Sequence, residues 1–102
     1  MGSKVNLVIK WDEKAFEDFI NIIDHISQNS PANALLVRGR IMKMVKSLPL
    51  NPKIFREDEL KLANDGEFRV FSKDNIRVSY KIESKGILIA RIRHSSQEPI
   101  VY

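Results

Sequence analysis

Between Glu67 and His94 the chain holds three runs rich in β-branched and aromatic residues, with almost nothing between them. The runs are "EFRVFS" (67–72), "IRVSYKIE" (76–83) and "GILIARIRH" (86–94), separated by Lys73-Asp74-Asn75 and by Ser84-Lys85. Connections of two or three residues join only antiparallel neighbours, because a parallel return needs a crossover of a dozen residues or more. The last third of the chain is therefore expected to be a β-meander. Its apolar side must be covered by whatever precedes it.

The cover is legible as two helices. After an alternating strand at 4–11 (Val5, Leu7, Ile9), Asp12 offers an N-cap, with Glu13 beside the positive helix end. Phe16, Phe19, Ile20, Ile23 and Ile26 recur at three- and four-residue spacing, so the first helix is expected to run to about Gln28. Ser30 and Pro31 then start a second, with the stripe Ala34, Val37, Ile41, Met44, Val45 and Leu48, ended by Pro49 and Pro52. A turn this short lays the helices antiparallel. Gly39 costs helix propensity, and close approach of the first helix would explain it. Residues 51–66 show no period and read as a connecting loop, with room for one helical turn. The order is β-α-α-β-β-β. It predicts an α+β fold in which a helical hairpin packs on one face of a mostly antiparallel four-stranded sheet.

Length and composition set the outer limits. A chain of 102 residues is expected to be one domain spanning 1–102, with Met1-Gly2-Ser3 resembling a cloning scar and 95–102 a partly ordered tail. It has no cysteine and two histidines, which removes disulfides and thiolate chemistry and leaves no convincing metal centre. Neither a membrane-length apolar run nor a secretory pattern is present, so a cytoplasmic protein without cofactor or membrane partner is expected.

The net charge of +4 is unevenly placed. Segment 11–30 carries five acids against Lys14; segment 31–50 carries Arg38, Arg40, Lys43 and Lys46 and no acid. Segment 69–93 carries seven bases against Asp74 and Glu83. Strand parity assigns the last group a direction. Val78, Tyr80 and Ile82 would face the helices together with Phe68, Val70, Leu88, Ala90 and Ile92. Arg69, Arg77, Arg91 and Arg93 would then gather on the open face, beside Phe71, Ile87 and Ile89. Such a face suits phosphate or an acidic peptide, and it also suits plain solvent. His94 keeps core parity at the end of its strand, where a packed histidine and a general acid/base are equal readings. His25 reads as a solvated residue of an acidic helix. The helix bases read as a solvated face, or as partners of the acidic helix. Trp11 and Tyr80 read as packing residues.

The ordered elements resemble the RelE/ParE superfamily of type II toxin–antitoxin toxins, from Val5 to Pro99. The resemblance rests on the element order and on "ISQNSPANALLVRGRIMKMVKSLPLNP", similar to the ParE-type hairpin. It rests too on the Arg-bearing strands "FRVF…IRVSYKI" and on a last strand, "ILIARIRHSSQEP", ending in a histidine and a proline. It implies a growth-inhibiting toxin of plasmid-stabilising modules, bound by a cognate antitoxin in a hetero-oligomer. Two targets are implied, DNA gyrase for ParE-like members and messenger RNA in the ribosome for RelE-like endoribonucleases. On the RelE-like reading Arg69, Arg77 and His94 match the catalytic positions, with Lys53 and Arg56 in the basic loop and Arg91 and Arg93 as further target-binding cations. Ser96 departs from the pattern, standing where relatives carry an arginine two residues after the histidine. A lost transition-state donor costs roughly 2.7–4 kcal/mol. The ParE-like reading is therefore preferred, with an inactive antitoxin-binding member as a third.

Overall fold

The computed structural model describes residues 8–102, so the expected strand residues 4–7 and the scar at 1–3 lie outside the described residues. The described elements are β1 (Val8–Trp11), α1 (Glu13–Asn29), α2 (Pro31–Ser47), a 3₁₀ turn (Leu48–Leu50), β2 (Phe68–Lys73), β3 (Ile76–Glu83) and β4 (Gly86–His94). The strands form one sheet in the order β1-β4-β3-β2. β2, β3 and β4 are the expected antiparallel meander, while β1 runs parallel to β4 along its other edge. The two helices supply the long crossover that a parallel pair requires.

Both predicted caps form. The Asp12 carboxylate accepts from the Ala15 amide at 3.2 Å, and the Ser30 hydroxyl from the Asn33 amide at 3.1 Å. The helices bury Phe19 and Ile22 of α1 with Val37, Ile41 and Val45 of α2 against Val78, Tyr80, Ile89 and Ile92 of the sheet. Each such side chain contributes about 1.5–3 kcal/mol on leaving water. Trp11 packs on Phe16 and Phe19, with ring centroids 5.6 Å away in each case, as its packing role predicted. Gly86 is needed for a different reason. A Cβ there would lie 1.8 Å from the Val8 carbonyl oxygen, so β1 reaches its register only over a bare backbone.

Gly39 departs from expectation. A Cβ at that position meets nothing within 4 Å, so the glycine allows no helix approach. Strand phase departs further, in two places. The connection between β2 and β3 is the two-residue turn Asp74-Asn75, both with positive φ (53° and 64°), and Lys73 pairs with Ile76. That is the primed hairpin geometry, which Asp and Asn tolerate. Counting Lys73 as strand moves β2 by one residue, and one residue exchanges its faces. Phe71, opposite Val78, is buried in the core. Arg69, opposite Tyr80, is on the helix side, and Phe68 and Val70 turn outward.

The second departure is a bulge. Tyr80 opposes Ile89 and Ser79 opposes Arg91, which leaves Ala90 as an extra residue in β4. Ile87 and Ile89 therefore face the helices, Leu88 faces outward, and Ile92 returns to the core beyond the bulge.

Candidate functional site

Three of the four expected arginines do share the outer face. Arg77 pairs with Arg93 across β3 and β4, and Arg91 lies opposite Ser79 one step further along. Arg69 is the exception. On the other side of the sheet its Nε donates to the Gly66 carbonyl at 3.0 Å and Nη1 to the Phe55 carbonyl at 3.1 Å. It anchors the loop after α2, near Tyr80, whose hydroxyl donates to the Pro52 carbonyl at 2.6 Å. Burial pushes that phenol up to about 12, Arg69 opposing the rise.

The outer face is also not open. Residues 56–58 run along the free edge of β2: the Val70 amide donates to the Arg56 carbonyl (3.0 Å) and the Asp58 amide to the Phe68 carbonyl (2.9 Å). The edge strand is thereby blunted, as an unpaired edge generally must be. This edge cover delivers Asp58 onto the arginine face, where its side chain has no solvent exposure. Its Oδ1 accepts from Arg77 Nη2 at 2.6 Å and from the Leu60 amide at 3.0 Å, and its Oδ2 accepts from the Tyr102 hydroxyl at 2.6 Å. Burial raises this carboxyl, but hydrogen bonds from Tyr102, Ser79, Leu60 and Arg77 outweigh it and hold the group below its usual range. Arg77 also donates to Glu59 at 2.6 Å; Glu59, with Arg56 as second donor at 2.7 Å, is held down to about 2. Burial alone would lower the Arg77 guanidinium, and the two carboxylates reverse that and raise it.

The remaining expected residues occupy two settings. Lys53 and Arg56 are exposed, Lys53 in the loop after α2 and Arg56 at the start of the edge cover. His94 is half-buried at the end of β4. It lines a cleft of about 480 Å³ with Arg77, Arg93, Lys73 and Glu59, and also a second of about 310 Å³ shared with His25. Its Nδ1 accepts from the Ser96 amide at 3.1 Å and lies 2.8 Å from the Ser96 hydroxyl. An amide can only donate, so the ring hydrogen is placed on Nε2. Ser96 thus serves to orient the imidazole and supplies no cation. Among the described residues no cluster of metal-ligating side chains occurs, and no helix is long and apolar enough to cross a membrane.

The helix bases do not pair with the acidic helix as one reading had it: Arg40 meets Asp74 of the hairpin turn at 3.2 Å. Asp58 and Tyr102 went unmarked in the sequence, Asp58 because its stretch has no periodicity. Tyr102 carried one signal, an aromatic residue closing a polar tail. The tail folds back across the sheet, where Tyr102 meets Leu60 and Asp58.

A helical hairpin on one side of a β-meander, with strand arginines on the other, defines a RelE/ParE-like toxin domain. The sequence model for the ParE toxin of the type II toxin–antitoxin system parDE matches residues 9–99, and the chain belongs to that family. No curated protein matches it. Among solved structures, a chain of the chromosomal ParDE toxin–antitoxin system from P. aeruginosa is similar in fold, with a TM-score of 0.67 and 22% identity. The match covers 89% of this chain and 98% of that one.

Proposed function

We propose that the protein is the toxin of a type II module, that it inhibits growth by binding DNA gyrase, and that a cognate antitoxin neutralises it. Membership of the ParE family supports the module. The observation that carries the choice of target is the dispersal of the ribonuclease set. Cleavage by 2′-hydroxyl attack needs a base, an acid and cations converging on one phosphate. Here Arg69 is on the opposite side of the sheet from Arg77, and Arg77 is already held by Asp58 and Glu59. A binding-type toxin requires no such convergence.

The antitoxin has an apolar surface to meet on the hairpin, where Phe16, Ile20, Leu35 and Leu36 are exposed. Apolar side chains exposed on both helices of the hairpin give a protein partner groups to bury. The deciding experiment adds purified protein to host gyrase and follows supercoiling and trapped cleaved DNA. Inhibition relieved by the antitoxin is expected. Unaffected gyrase, with codon-specific cuts in toeprints of translating ribosomes, would move the assignment to the RelE-like reading, with the His94 cleft as its site.

A further inference from the structure

We propose that residues 98–102 form an intramolecular strap that gates the cationic outer face of the sheet, closed by one anchor, Tyr102, and built to open. The closed state is fully specified. The Tyr102 amide donates to the Leu60 carbonyl at 2.9 Å, and the Leu62 amide donates back to the Tyr102 main-chain oxygen. This reciprocal pair joins the strap to the loop after the β2 edge cover, as in a two-stranded ladder. The Tyr102 ring meets Phe68 edge-on, with centroids 5.8 Å apart and planes at 83°. The Arg91 guanidinium sits 4.5 Å from the ring centroid and Lys61 Nζ 5.5 Å. The hydroxyl ends on the buried Asp58 carboxylate. One side chain therefore engages the edge loop, β2 and β4 together.

Around that anchor the strap is weakly held. Ile100 and Val101 are only partly buried, at 39% and 56% exposure. Arg93 donates to the Glu98 carbonyl at 2.9 Å, yet its Nε is shut away from water with no acceptor. A buried donor left unpaired is a cost in the closed molecule. Opening frees the Arg91 cation from the ring. Arg77 stays paired with Asp58 and Glu59, so release switches Arg91 and Arg93 without dissolving the face. The device is independent of which target the toxin takes, and its test uses neither gyrase nor antitoxin.

The test compares the full chain with Tyr102→Ala and Tyr102→Phe by amide hydrogen exchange and by NMR titration with inorganic tripolyphosphate. Tyr102→Phe keeps the ring and loses only the bond to Asp58. The strap predicts that exchange at the Leu62 amide rises about tenfold in Tyr102→Phe, the size expected for losing one bond to a charged group, and by a larger factor in Tyr102→Ala, which loses the ring contacts as well. Exchange in β3 should not change. Tripolyphosphate should then bind several-fold tighter to Tyr102→Ala, shifting the Nε–H signals of Arg91 and Arg93. Unchanged Leu62 exchange in Tyr102→Ala would overturn the strap. So would equal tripolyphosphate affinity for wild type and variant, or acceleration spread evenly through the sheet.

Discussion

Asp58→Ala is the sharpest probe of how the outer face is held. The carboxylate has no exposure and accepts from Arg77, Tyr102 and the Leu60 amide. Truncation leaves the Tyr102 hydroxyl and the Leu60 amide without their acceptor and removes one of the two carboxylates to which Arg77 donates. Removing one partner of a buried pair costs about 3–5 kcal/mol when the other charge is left uncompensated. Arg77 is 21% exposed and retains Glu59 at 2.6 Å, which brings its share down to about 1–2 kcal/mol, between the exposed and the buried case. The unpaired phenol and amide add to it, since an unsatisfied buried donor costs about 1–3 kcal/mol, less where water can enter. The expected loss is therefore about 3 kcal/mol, a large share of the ~5–15 kcal/mol that holds a domain together. At ~4–8 °C per kcal/mol for a domain of this size, Tm falls by roughly 12–24 °C. Urea unfolding of Asp58→Ala, Arg77→Met and the double variant measures this directly. The cycle should show a coupling of at least about 1 kcal/mol. A loss below about 1 kcal/mol, or additive single effects, would mean that this ion pair behaves like an exposed one and that the face is held by other contacts.

Three further outcomes follow from the same geometry. Gly39→Ala should stabilise the protein by up to about 1 kcal/mol, because the added methyl meets no neighbour and the helix gains propensity; thermal unfolding checks it. Ile89→Ala should cost about 2–5 kcal/mol and Leu88→Ala far less, since only Ile89 is in the core; equal losses would refute the bulge at Ala90. Acid should open the outer face first. Asp58 and Glu59 are both held below their ordinary values, so their stabilisation is complete above about pH 4.5 and lost as pH falls through the folded values, near 2 for Glu59. The Leu62 amide should lose exchange protection between pH 4.5 and 2 before the core strands do, as followed by hydrogen exchange.

Local signals decided the elements of this protein. The caps at Asp12 and Ser30, the prolines after Leu48 and the short β-connections each act within a few residues, so they carry their meaning in the sequence itself. The element order together with the hairpin and strand motifs was enough to indicate the toxin family, and the family model over residues 9–99 agrees with it. Which side each strand residue faces was decided elsewhere. A two-residue turn in place of a three-residue one sent Arg69 to the helix side, and one extra residue at Ala90 placed Ile87 and Ile89 in the core. Alternation has no memory of such a slip, because its period of two makes either phase equally regular.

The closing of the arginine face was likewise decided only in three dimensions. Asp58 and Tyr102 are 44 residues apart, and neither belongs to a periodic run. They meet because the β2 edge needed a partner for its backbone groups, and the loop that supplied one carried a carboxylate to Arg77. The chain alone thus specified its helices, strands and family. Which charges stand free and which are spent inside the molecule depended on long-range pairing, whose energy no short stretch of sequence contains.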